Sequence, residues 1–213
     1  EFETMDVNGK IKNVGQDVTV SEVMEHIMRD MPYYRRSKGG VTLSGGEVLL
    51  QSDFASELLK ACKDSGLTTA IESTACAEYS EIQKLLPYLD VYLMDIKHIN
   101  SEKHKRFTGR SNELILENAK KIANEACELI VRVPVVPSFN DTVEEISDIA
   151  RFTKNLKTVK KLHLLPYHKF GADKYRWLGR EYECENIVSP SKQHMEMLKD
   201  TVSSFGLECQ IGG

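Results

Sequence analysis

Apolar positions along the chain switch between two periods. From Thr19 to Asp30 they form one helical stripe, Val20, Val23, Met24, Ile27 and Met28, behind a Thr19/Glu22 capping box. From Val41 to Ser44 they run as a buried strand does, and Gly45 and Gly46 end the run. The same alternation then repeats. Asp53 opens a helix carrying Phe54, Leu58, Leu59 and Cys62, closed by Gly66. Thr68 to Ile71 is a strand that ends on Glu72 and Ser73. Glu81 to Leu86 reads as a short helix and Val91 to Ile96 as a strand, followed by helices over Glu102–Thr108 and Glu113–Ala126. Leu129 to Val136 is a strand interrupted by Pro134. A second capping box, Thr142/Glu145, opens a helix through Val143, Ile146, Ile149 and Phe152. Lys161 to Leu165 is a strand stopped by Pro166, and a long polar loop follows. The last helix starts near Pro190, turns Met195, Leu198 and Val202 inward and ends at Gly206, before a final strand over Leu207–Ile211.

Strand and helix therefore alternate at least five times, which predicts a parallel sheet with crossover helices, as a barrel or an open doubly wound sheet. Ahead of this lies a different pattern. Phe2–Met5 and Lys10–Val14 are short extended runs joined through Asp6, Val7, Asn8 and Gly9, and Asn-Gly between such runs predicts a hairpin. Gly15 to Asp17 acts as a hinge. A lone hairpin is marginal, and the chain opens on Glu1 with Met5 inside a strand, so the hairpin is expected to belong to a larger piece.

In either architecture ligands sit at the carboxyl ends of the strands. Those ends carry Gly45, Gly46 and Glu47; Glu72 and Ser73; Asp95 and Lys97; Arg132 within its strand; and Tyr167 with His168. Each has an ordinary explanation alone, as a glycine turn, a cap, a surface pair, a structural ion pair or a loop histidine. Five strand ends that all bear polar or charged groups predict a site. Two glycines expose backbone to a ligand, and the carboxylate behind them suits an ammonium or hydroxyl group.

Composition narrows the function. The chain has 213 residues, 41% hydrophobic and 28% charged, with a net charge of −4, so no general basic field points to nucleic acid. No window approaches the roughly 20 apolar residues that cross a bilayer, and no signal peptide opens the chain, which predicts a cytoplasmic protein without membrane partners. The five cysteines, Cys62, Cys76, Cys127, Cys184 and Cys209, lie far apart and form no local zinc or iron–sulfur motif. His98, Lys103, His104, Lys105 and Arg106 form a basic run, either a solvated helix face or a partner contact. The lone Trp177 reads as packing.

GGVTLSGGE from Gly39 to Glu47, DIK from Asp95 to Lys97, VRVPVVPSFND from Val131 to Asp141 and LLPYHKFGADKY from Leu164 to Tyr175 resemble, in order and spacing, the activating enzymes of glycyl radical enzymes. These are a branch of the radical S-adenosylmethionine superfamily that includes the pyruvate formate-lyase activating enzyme. The resemblance covers most of the chain from Thr19 onward. It implies a partial (β/α) barrel over residues 18–213 without its first strand, and it makes residues 1–17 a hairpin remnant of a ferredoxin-like insertion.

By the same resemblance, Gly45, Gly46 and Glu47 would hold the methionyl amino group of S-adenosylmethionine. Glu72, Ser73, Lys97 and Arg132 would line its carboxylate and ribose, with Ile96 and His168 near the nucleoside. Glu72, Ser73, Asp95 and the Leu93 backbone would match a monovalent cation site. Val48 follows GGE where many relatives differ, and Glu72 replaces a frequent Asp. A C-x3-C-x2-C loop, whose thiolates bind a [4Fe-4S] cluster in this family, is not found in this sequence. The resemblance further implies a 5′-deoxyadenosyl radical that takes hydrogen from a glycine of a partner glycyl radical enzyme, with a flavodoxin or ferredoxin as electron donor to the full-length protein. ESTAC at Glu72–Cys76 and DIKHIN at Asp95–Asn100 are similar to activases of aryl-acetate decarboxylases. Two other readings stay open: a docking module for a glycyl radical enzyme, and a cluster-independent barrel lyase or aldolase using Lys97 as a Schiff base or Glu72 as a base.

Overall fold

The computed structural model describes residues 2–5, 11–125, 127–182 and 184–212. β1 (Phe2–Met5) and β2 (Ile11–Val14) pair antiparallel in the register Phe2↔Val14 to Met5↔Ile11. The predicted turn residues Asp6 to Gly9, and Lys10, lie outside the described residues.

Beyond Gly15 the chain runs α1 (Val20–Arg29), α2 (Met31–Ser37), β3 (Gly40–Leu43), α3 (Ser52–Asp64), β4 (Thr68–Ser73) and α4 (Tyr79–Leu85). It continues with β5 (Val91–Asp95), α5 (Ser101–Thr108), α6 (Glu113–Ile122), β6 (Glu128–Val135), α7 (Val143–Asn155) and β7 (Lys161–Pro166). α8 (Ala172–Trp177), α9 (Lys192–Ser204) and β8 (Glu208–Ile211) complete it. Strands β3 to β8 form one six-stranded sheet in sequential order, and every neighbouring pair is parallel. β3 and β8 are its two edges, so the sheet is an unclosed barrel wall.

Alternation along the strands gives the sheet two unlike faces. Ile71, Tyr92, Met94, Val131, Val133, Leu162 and Leu164 are buried against helices in the main core. A smaller cluster, Leu58, Cys62 and Leu67, packs under Val20, Val23, Met24 and Ile27 of α1. The residues between them, among them Glu72, Leu93, Asp95, Arg132, Lys161 and His163, stay half-exposed on the open face.

Both predicted capping boxes form, at Thr19/Glu22 and Thr142/Glu145. Four local readings need correction. Residues 31–37 are helical, because Pro32 is tolerated in the first turn of a helix that starts directly after α1. The loop after β7 contains a 3₁₀ turn and α8. Pro134 does not interrupt β6: β5 ends at Asp95, opposite Arg132, so Pro134 has only Leu165 of β7 beside it and no ladder bond on the β5 side to lose. α6 ends at Ile122, earlier than expected, and Ala126 lies outside the described residues.

Gly40 shows how closely β3 approaches β4. A β-carbon there would run into the carbonyl oxygen and hydroxyl of Thr68, its register partner. Gly40→Ala is expected to cost about 1–3 kcal/mol through forced separation of the strands, read from urea unfolding. An unchanged midpoint would show that β3 is free to shift.

Candidate functional site

The carboxyl ends of β3, β4 and β5 and the inner stretch of β6 carry most of the predicted site. At β3, Gly45 takes φ 131, a conformation closed to most side chains, and a β-carbon on Gly45 or Gly46 would meet nothing within 4 Å. The glycines thus leave open space beside the Glu47 carboxylate. Glu47 itself is held firmly. Its Oε1 accepts from the Ser73 hydroxyl at 2.6 Å and the Leu49 N–H at 3.3 Å, and its Oε2 from the Thr74 hydroxyl at 2.7 Å and the Thr74 N–H at 3.1 Å. Beneath this lies the buried Tyr92, whose phenol is pushed up by burial and by the charge of Glu47.

The loop that supplies Ser73 and Thr74 is strained. Ala75 is fully buried with φ 56, and Asn118 of α6 holds it by donating to the carbonyls of Ala75 and Ala77, both at 2.8 Å.

On the open face Arg132 joins three strands. Its guanidinium donates to Glu72 Oε1 at 2.6 Å and to Asp95 Oδ1 at 3.3 Å. Glu72 also accepts from the Ser44 hydroxyl at 2.7 Å, and Lys97 Nζ lies 3.5 Å from Asp95 Oδ2. Burial raises the Glu72 carboxyl, but Ser44 and Arg132 overcome it and hold the group below its ordinary value. Ser44, Glu72, Arg132, Asp95 and Lys97 thus form one chain of contacts. Ile96 is buried beside it and donates its N–H to the Arg132 carbonyl at 2.9 Å.

The Lys97 loop is fixed from behind by groups that sequence reading did not single out. Asn140, fully buried, donates to the carbonyls of Lys97 and Pro134 at 2.7 and 2.8 Å and accepts from the Val136 N–H at 2.8 Å. Its position inside VRVPVVPSFND was the available signal. Asn112 donates to the carbonyls of His98 and Ile99. His98, in the predicted basic run, is buried and lies 3.3 Å from Glu145, which also binds Lys103. Burial raises the Glu145 carboxyl, yet Lys103, Thr142 and His98 bring it down to about 2.

Not every predicted residue joins this network. His168 is exposed beyond the end of β7, accepts from the Phe170 N–H at 3.3 Å and leans on the Phe170 ring, with centroids 4.2 Å apart. Tyr167 turns to Tyr182, with the hydroxyls 2.9 Å apart. Within the predicted cation set, Glu72 and Asp95 are both engaged by Arg132, Ser73 faces Glu47, and Leu93 sits between Glu72 and Ile130. Among the described residues no group of three or more His, Cys, Asp or Glu is placed to hold a metal ion.

Residues 8–153 match the Radical SAM superfamily. The chain belongs to the radical SAM superfamily. It is 39% identical over 207 residues to the (2S)-3-sulfopropanediol dehydratase activating enzyme of Klebsiella oxytoca, covering 95% of this chain and 65% of that protein. It is 42% identical over 196 residues to the 4-hydroxyphenylacetate decarboxylase activating enzyme of Clostridioides difficile strain 630, covering 91% of this chain and 61% of the other. The crystal structure of a domain of pyruvate-formate lyase-activating enzyme from Bacteroides vulgatus superposes with a TM-score of 0.69 at 28% identity, over 82% of this chain and 99% of that one. The chain thus spans less than two thirds of the length of the two curated relatives.

The radical SAM family uses S-adenosylmethionine and a [4Fe-4S] cluster, and the two groups meet different receptions here. The open glycine backbone, a carboxylate and two cations along one sheet edge fit the zwitterionic end of S-adenosylmethionine. The cluster does not fit this chain: Cys62 is in α3, Cys76 after β4, Cys127 before β6, Cys184 beyond α8 and Cys209 in β8. Anaerobic reconstitution of the chain with iron and sulfide is therefore expected to leave it colourless. Close to four irons per chain with matching sulfide would overturn this.

Glu145 gives a pH test. Its carboxyl is depressed from 4.5 to about 2, so its stabilising contribution is present above pH 4.5 and is lost as pH falls toward 2. The stability difference between the chain and its Glu145→Gln variant should narrow over that window, measured by urea unfolding at stepped pH. A constant difference would show that the Glu145 contacts are not maintained.

Proposed function

We propose that this chain is the S-adenosylmethionine-binding portion of a glycyl radical enzyme activating enzyme, inactive by itself because its own cysteines cannot hold the cluster. The observation that carries the reading is the continuous network from Ser44 to Lys97, beside an anchored Glu47, all at the carboxyl edge of a parallel sheet. In this reading Gly45, Gly46 and Glu47 take the ammonium group. Lys97 and Arg132 take the carboxylate, with Glu72 and Ser73 toward the ribose and Ile96 and His168 toward the nucleoside.

When bound at a reduced cluster, the cofactor supplies a radical able to remove a hydrogen atom. The residues of this chain bind and orient it. Glu47 is fixed in direction by four hydrogen bonds that fill the acceptor sites of its carboxylate, so an ammonium group would be drawn by its charge and would displace the longest of them, from the Leu49 N–H at 3.3 Å. Arg132 and Lys97 are fixed through Asp95, and Asn140 holds the Lys97 backbone. The partner is a glycyl radical enzyme, a class to which the named relatives point without singling out one member. Lys97 does not suit a Schiff base, because its amino group is turned onto the Asp95 carboxylate, 3.5 Å away, and not into an apolar pocket.

Calorimetric titration with S-adenosylmethionine tests this. A dissociation constant in the high-micromolar to millimolar range is expected, on the order of −4 to −5.5 kcal/mol. Lys97→Ala should weaken it tenfold or more, since a charge-assisted hydrogen bond is worth about 1.5–3 kcal/mol, and His168→Ala should weaken it measurably. No binding at millimolar ligand by a folded sample would reject the cofactor pocket and favour a docking module.

A further inference from the structure

The register of the sheet sets Asp95, Arg132, His163 and Gln210 in one row across β5, β6, β7 and β8, on the open face. Neighbouring strands lie about 4.8 Å apart, so the row spans about 15 Å. Its charges are matched. Arg132 is engaged by Glu72 and Asp95, and Lys161, two residues before His163, by Glu128 at 2.9 Å. Among the described residues, the side chains of His163 and Gln210 take no part in the hydrogen bonds or ion pairs that bind this face together. His163 is half-buried and Gln210 exposed, whereas the alternate residues Leu162 and Leu164 go to the helix-covered core.

We infer that His163 and Gln210 form a main-chain recognition pair, binding the uncharged peptide backbone of the partner segment that carries the reacting glycine. This rests on the proposed activating role and extends it to residues outside the cofactor pocket. A neutral imidazole and a carboxamide each offer a donor and an acceptor, which is what a peptide N–H and C=O require. Neither side chain brings a full charge with which to hold a charged ligand. A segment centred on glycine suits such a pair, because without a side chain its amides can approach the sheet closely. Neutrality of the imidazole is supported by its surroundings. Burial, then Lys161 and Arg132, hold its proton affinity below the ordinary value against the opposing pull of Glu208 and Glu128.

The test uses the full chain and two probes: an N-acetylated, C-amidated octapeptide of Ala and Ser around a central Gly, and the same peptide N-methylated at the two amides flanking the glycine. Histidine ring resonances are followed by NMR, with His163 assigned through His163→Gln. The unmethylated peptide is expected to shift the His163 signal while leaving His26 and His194 in place. His163→Leu and Gln210→Leu should each weaken binding about threefold to tenfold, the worth of one neutral hydrogen bond. His163→Gln should restore it and remove its loss at acidic pH. S-Adenosylmethionine affinity should fall much less than peptide affinity in these variants, since neither side chain is among the partners that hold Arg132 and Lys97. No shift at millimolar peptide, equal binding of the N-methylated probe, or variants that bind as well as the original chain would each overturn the pair. Loss of cofactor binding in the unaltered chain, with peptide binding intact, would reject the proposed cofactor role and leave the pair standing.

Discussion

A single guanidinium bridging two carboxylates from two other strands organises the open face of this sheet. Arg132 is 13% exposed on its side chain, so an unpaired charge there would be costly, and Glu72 and Asp95 remove that cost by meeting it from β4 and β5. The three residues are 60 and 37 positions apart in sequence, and only the parallel register brings them together. Through Ser44 on one side and Lys97 on the other, the clasp extends to the end of β3 and to the loop after β5. A ligand arriving at this edge meets groups whose directions are already set, and it must compete for them with partners in place.

Much of this was legible in the chain, and what was not has physical causes. Strand ends could be found because apolar runs stop abruptly at Gly45, Glu72 and Asp95, and a parallel sheet aligns all such stops at one edge. Which carboxylate meets which cation could not be read, because that depends on register between strands. The direction of Ser73 is an example: it lies next to Glu72 in sequence yet turns to the opposite face and binds Glu47. Helix α2 was missed because Pro32 near its start and the Arg35–Arg36 pair read as a loop, and α8 because its six residues lie inside a polar stretch without an apolar period. Asn140 was passed over because a polar residue shortly after Pro137 resembles any loop, while its burial is a property of the fold.

The two faces divide the labour. The helix-covered face carries the apolar core and almost no charge, while the open face carries matched ion pairs with neutral polar groups beside them. β3 and β8 end the sheet without closing it, so this face remains accessible along its length. That openness is why positions such as Glu72 and His163 are half-exposed although they lie within the sheet.

The Ala75 turn gives the anchored carboxylate a mechanical connection to a distant helix. Its left-handed backbone is kept in place by one carboxamide, that of Asn118 on α6, and the residues immediately before it are the ones that grip Glu47. Glu47 is thus tied through two residues of loop to α6. A small slide of α6 along its axis would move the carboxylate, and a rigid α6 keeps it still: the helix serves this edge of the sheet as a stay serves a mast.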